Sequence, residues 1–359
     1  MRVTIVGGGN IGTQFAVHCA EKGHQVIVYT STPHLYDGHL NIVDESGSTT
    51  HEGDIELATS DPKVAFSEAD FIMVTMPATM MNSIADLIYT HANSSAIIGV
   101  VPGNGGSECA FRKCIDRGNA FFGIERVPAI ARLVQKGRTV KSTGYREELH
   151  VAALPKVNAG KCAEMIEGIF DVKTTVIPNF LNLTMTPSNP ILHTTRLKTI
   201  FLGWHEGITY DHLPLFYEEW DDASSELLIA CDEEVQDICR HLPEFELQYV
   251  KSLRLHYESP TVQDMTKKIS SIAAFKGLKT PAVETNGLLI PDLHSRYFTA
   301  DFSYGLTIIK QIGVLAGVST PNIDSTMDWY KRIAIVDDEF SFKDYGIIDK
   351  STFDTFYLQ

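Results

Sequence analysis

The sequence predicts an α/β fold: a mostly parallel sheet with covering helices in the first half, then a helical second half. Three observations predict it. Short apolar runs without polar alternation recur through the first 180 residues, with helix-spaced stretches between them. A glycine-rich turn joins the first of these runs to the first helical stretch. After about residue 181 the buried-strand runs stop, and apolar residues recur at three- and four-residue spacing over long stretches.

The elements follow in order. "RVTIV" (2–6) is the first strand, and a helical pattern runs from Ile11 to Lys22. "HQVIVYT" (24–30), "DFIMVTMP" (70–77) and "SAIIGVVPG" (95–103) repeat the strand theme. Continuous Val/Ile runs suit strands buried on both faces. "TVKSTG" (139–144) and "ELHVAALP" (148–155) read as a hairpin extending the sheet, "AGKCAEMIEGIF" (159–170) as a helix and "TTVIPN" (174–179) as a last strand. Beyond them, 221–241 and 303–317 have helical periodicity. These readings place one domain at 1–181 and a second at 182–359.

Bulk properties limit the function. With 359 residues and 44% hydrophobic residues, two domains with real cores are expected. A formal net charge of −15 argues against general affinity for nucleic acid or an anionic membrane surface. None of the six cysteines forms a CxxC pair, and no His/Cys spacing suggests zinc, so no metal is expected and the thiols read as reduced. The N-terminus runs straight into a strand, and no apolar run of about 18 residues occurs. A cytoplasmic protein is the expectation.

"VTIVGGGNIGTQFA" places Gly7-x-Gly9-x-x-Gly12 between strand and helix. The first glycine permits the tight turn, the second lets backbone approach a pyrophosphate, and the third lets helix and strand pack closely. The helix N-terminus adds unpaired N–H groups facing the phosphates. This is the fingerprint of a Rossmann-type dinucleotide-binding domain, with Gly7, Gly9, Asn10, Ile11 and Gly12 as the cofactor-binding turn. Thr30 and Ser31, closing the second strand, and Pro77, closing the next, are the other cofactor candidates. An acidic residue at the end of the second strand would hold the ribose hydroxyls of NAD. "YTST" offers hydroxyls instead, which tolerate a 2′-phosphate, so NADP is favoured over NAD although no arginine stands nearby.

The second half holds the candidate chemistry. In "SNPILHTTRL" (188–197), Pro190 allows a helix to begin, which would put His193 in its first turn, near the junction of the domains. Imidazole is the natural proton carrier near neutral pH. In "SRYFTADFSYG" (295–305), Asp301 can pair with a histidine, and Arg296 can take a carboxylate on its guanidinium fork. "GWHEGITYDH" lacks the HExxH spacing of a metal site.

"NPILH" followed by "RYFTADFSYGL…GVSTPNID" resembles the opine dehydrogenases, a family that includes octopine, nopaline and N-(1-carboxyethyl)-norvaline dehydrogenases. The resemblance extends through "VVPGNGGSECAFR" (100–112), "ERVPAIAR" (125–132) and "HVAALP" (150–155). It implies a Rossmann-type domain followed by an all-helical domain like the C-terminal domain of 6-phosphogluconate dehydrogenase. It also implies condensation of an amino acid or amine with a 2-oxo acid such as pyruvate, the imine being reduced by NAD(P)H. His193 becomes the acid/base, Asp301 its partner, and Arg296, Asn189 and Arg132 the substrate-binding residues. The partners implied are small molecules and at most a second copy of the chain. Ala300, Arg126 and Pro128-Ala129 depart from the family pattern and bear on which substrates are used. A ketopantoate reductase-like or 3-hydroxyacid dehydrogenase would need a lysine proton donor, and Lys198 is the one near "NPILH". A non-catalytic nucleotide sensor is the remaining alternative.

Overall fold

The computed structural model describes every residue except Asp337. The chain forms two compact units, Met1–Thr184 with Thr355–Gln359, and Met185–Asp354. Assigning 182–359 wholly to the second domain therefore needs correcting at the C-terminus. Tyr357 is buried in the first unit, where its hydroxyl donates to Glu108 Oε1 (2.5 Å).

The first unit carries twelve strands among the described residues: β1 (Arg2–Val6), β2 (Gln25–Tyr29), β3 (His39–Val43), β4 (Thr49–Asp54), β5 (Leu57–Thr59), β6 (Phe71–Val74), β7 (Ile97–Val100), β8 (Phe121–Ile124), β9 (Ile130–Gln135), β10 (Thr139–Thr143), β11 (Glu148–Leu154) and β12 (Lys173–Val176). Eight form the main sheet in the order β12-β11-β8-β7-β6-β1-β2-β5, parallel throughout except where β11 runs against β8. β1 lies between β2 and β6, so the chain order reverses there. Open α/β sheets bind ligands at the carboxyl ends of the strands flanking such a reversal.

A second sheet, β4-β3-β10-β9, covers the helix α1 (Asn10–Glu21). The expected hairpin at 139–155 is thus two strands of different sheets. β10 pairs with β3 and β9, and β11 enters the main sheet beside β8. The reason is burial. Val140, Leu40, Ile42 and Ala131 share one apolar core with Phe15, Ala16 and Cys19 of α1, which a strand added to the main sheet could not do. Gly53 belongs to this packing, because a Cβ there would lie 2.7 Å from Ala20 Cβ.

The second unit is helical, built on α2 (Ser188–Ile200), α3 (Asp222–Arg240), α4 (Val262–Ser271), α5 (Thr307–Ala316) and α6 (Pro321–Ile333). It is not all-helical: β13 (Ala282–Thr285) and β14 (Leu288–Pro291) form an antiparallel hairpin. α2 begins at Ser188, two residues before Pro190, which puts His193 in the second turn instead of the first. Proline is tolerated anywhere in the first turn, since N–H groups there have no intrahelical acceptor. Among the described residues, no helix is long and apolar enough to cross a membrane.

Candidate active site

The ends of β1, β2 and β6 open onto a cleft of about 630 Å³ in the first unit, lined by Gly7, Gly8 and Gly9, by Thr30 and Ser31, and by Thr75 to Pro77 among others. Gly7 has φ +106°, and a Cβ on Gly12 would stand 1.7 Å from the Gly7 carbonyl oxygen. No side chain other than hydrogen fits the Gly12 contact. A Cβ on Gly9 would meet nothing within 4 Å, so the backbone at the start of α1 is open to a ligand. These features fit a dinucleotide pyrophosphate. Thr30, Ser31 and Pro77 line the cleft as the sequence suggests. The Asn10 and Ile11 side chains do not: Asn10 Oδ1 accepts the Leu133 N–H (2.8 Å), and Ile11 packs against the core. The sequence reading missed Lys136 and Met80, which reach the cleft from the β9–β10 turn and from the segment before the helix at 81–91.

In the second unit, His193 and Asp301 meet across 108 residues of sequence, Nδ1 to Oδ2 at 2.7 Å. Two local features hold Asp301 in place. It precedes a π-helical turn, Phe302–Leu306, and its carbonyl accepts the Leu306 N–H (2.8 Å). Gly305 of that turn presses on α2, since a Cβ there would come within 2.9 Å of Pro190 Cγ. π turns of this kind often mark functional sites. With Nδ1–H directed at the carboxylate, Nε2 is the nitrogen free to exchange a proton. It faces the Tyr217 hydroxyl at 2.7 Å. Tyr217 is buried, and burial first, then the neighbouring Tyr297 phenol, pushes its hydroxyl well above the usual phenol range, so it remains a donor.

Sequence inspection did not find Tyr217 or the residue that positions it. Arg196, one turn beyond His193 and 1% exposed, donates to the Phe216 carbonyl (2.9 Å), the Glu219 carbonyl (2.6 Å), Asp221 Oδ2 (3.1 Å) and Ser224 Oγ (3.0 Å). It therefore clamps the segment that carries Tyr217. In sequence it looks like any helical arginine, and only its burial marks it out.

Arg296 is exposed, lies over the Tyr297 ring (5.4 Å) and makes no ion pair among the described residues. Tyr297 in turn packs edge-on against His193 at 4.4 Å between ring centroids. Asn189 is exposed one turn before His193 on the same helix face. Arg132 belongs to β9 in the first unit, is exposed, and donates to the Ala131 carbonyl (2.9 Å). Lys198 is not a free proton donor. Its ammonium donates to Ser325 Oγ (2.8 Å), and burial lowers its basicity.

The family of NAD/NADP octopine/nopaline dehydrogenases, alpha-helical domain, matches residues 176–334, and that of F420-dependent NADP oxidoreductases matches 2–103. Octopine dehydrogenase of Pecten maximus is 26% identical over 92% of this chain and 89% of its own length. Opine dehydrogenase of Arthrobacter sp. (strain 1C) is 26% identical over 94% of this chain and 91% of its own length. Residues 176–334 thus resemble the helical domain of the octopine/nopaline dehydrogenases, and the chain is similar to opine dehydrogenases over more than nine-tenths of its length. The solved octopine dehydrogenase complex with NADH and L-arginine shares its fold, with a TM-score of 0.80 at 24% identity over 92% of this chain and 89% of that one. The glycine turn lies in the part of the chain that matches an NADP oxidoreductase domain, and the His193–Asp301 pair lies in the part that matches the octopine/nopaline dehydrogenase helical domain.

Proposed function

We propose that this chain is an NADP(H)-preferring opine dehydrogenase, which condenses an amino acid or amine with a 2-oxo acid, reduces the resulting imine, and catalyses the reverse oxidation. The observation that carries the reading is the pairing of buried His193 with Asp301 in the same helical unit as an unpaired arginine. The dinucleotide, when bound, supplies the hydride. The residues of the glycine turn, with Thr30, Ser31 and Pro77, would hold it.

The remaining steps belong to side chains of this protein. Attack of the amine on the oxo carbon yields a carbinolamine, and loss of its hydroxyl as water requires a proton. His193 delivers that proton from Nε2, while Asp301 keeps Nδ1–H in place and stabilises the imidazolium. Tyr217 donates to Nε2 when the ring is neutral and can accept from it when the ring is charged, so the substrate oxygen shares this position with its hydroxyl. Arg296 holds a substrate carboxylate by two parallel hydrogen bonds, and Asn189 offers an amide on the same face of α2 as His193.

The test is NADPH consumption with pyruvate or 2-oxoglutarate crossed with twenty amino acids. Oxidation that requires both an oxo acid and an amine is the expected result. Oxidation with an oxo acid alone would mark a hydroxyacid dehydrogenase, and no turnover with any pair would favour a nucleotide sensor; either result overturns the proposal.

A further inference from the structure

We propose that Lys136, on the turn between β9 and β10, is the cation that recognises the 2′-phosphate of NADPH. The inference rests on the reading of the cleft as a dinucleotide site and adds the charge missing from the end of β2. Lys136 lines the same cleft as Tyr29, Thr30 and Ser31. It is the sole charged side chain among the described residues lining it, and no carboxylate opposes it. It is exposed and makes no ion pair or hydrogen bond among the described residues, in a chain of net charge −15. An unpaired cation at the mouth of an otherwise uncharged cleft is suited to an anionic ligand.

The fold holds this lysine in place although it comes from the other sheet. Gly137, next in sequence, has φ +76°, and a Cβ there would lie 2.3 Å from the Leu35 carbonyl oxygen, so the turn is pressed onto the segment that follows β2. Arg138 pairs with Asp37 of that segment, and the Arg138 carbonyl accepts the Asn41 N–H (2.9 Å). Gly137 and Arg138 are thus tied to the segment that follows β2, and they carry Lys136, the residue just before them. A ribose 2′-phosphate there would find hydroxyl donors on Thr30 and Ser31 and an ammonium from Lys136. The 2′-hydroxyl of NADH would have no anionic group for that ammonium to meet.

The experiment is calorimetric binding of adenosine 2′,5′-bisphosphate and of 5′-AMP to the full chain, which reports the subsite without turnover. The wild type should prefer the bisphosphate. Lys136→Ala should weaken the bisphosphate about tenfold, the size of one charge-assisted contact, and leave 5′-AMP unchanged. Lys136→Arg should retain most of the preference, and Lys136→Glu should abolish it. A wild type that does not discriminate between the two ligands overturns the NADPH preference itself, and the role of Lys136 with it. Discrimination that survives intact in Lys136→Ala and Lys136→Glu overturns the assignment of Lys136 alone.

Discussion

His193 and Asp301 should behave as one unit when removed singly and together. Their facing atoms are 2.7 Å apart, and their side chains are 5% and 17% exposed. Unit charges about 4 Å apart at an effective dielectric of about 20 attract by about 4 kcal/mol. Positive charge carried by the ring in the transition state gains that attraction, and Asp301 also fixes the Nδ1–H tautomer that leaves Nε2 to exchange the proton. Its loss corresponds to about a 10³-fold fall in kcat. That lies within the roughly 10²–10⁴-fold contribution of a positioned acid/base, which is the loss expected for His193→Ala. Without the imidazole, Asp301 has nothing to hold, so His193→Ala/Asp301→Ala should be little worse than the poorer single variant. The assay is a double-mutant cycle on kcat at saturating substrates, with NADPH affinity measured by fluorescence and folding by thermal melting. Independent action would instead multiply the losses to about 10⁶. Multiplicative losses, or near-wild-type turnover in His193→Ala, refute the reasoning.

Other outcomes follow from the same structure. Arg296→Lys keeps the charge but loses the two-pronged fork, so KM for a carboxylate substrate should rise with NADPH affinity unchanged; unaltered KM values for oxo acid and amine would contradict it. Gly12→Ala forces a Cβ towards the Gly7 carbonyl, so a cofactor dissociation constant raised at least about tenfold is expected in a binding titration, and wild-type affinity would show that the turn can yield. Thr30→Asp places a carboxylate in the cleft and should shift preference towards NADH in paired titrations. Burial raises the Asp232 carboxyl to about 6, so the folded state binds its proton more tightly than the unfolded state. That contribution is fully present below the unfolded value near 3.8 and is lost as pH rises through about 6. Melting of Asp232→Asn relative to wild type should therefore improve between pH 4 and pH 8, by on the order of 3 kcal/mol; parallel melting curves would contradict it.

The sequence by itself determined what depends on local chemistry. The glycine turn was legible because only glycine meets its steric demands, and the strands of the main sheet because burial on both faces leaves unbroken apolar runs. The helical second half was legible from periodicity, and His193, Asp301 and Arg296 stood out as residue types suited to proton exchange and carboxylate binding. Only the tertiary structure decided which distant side chains share a site. Tyr217 faces His193 because Arg196 holds its segment in place, and Lys136 reaches the cleft because the second sheet packs its turn against the residues after β2. The separation of β10 and β11 into different sheets, and the tie between Asn10 and Leu133, are of the same kind. Periodicity and turn chemistry act over a few residues, whereas strand order and long-range burial arise when the whole unit minimises its exposed apolar surface.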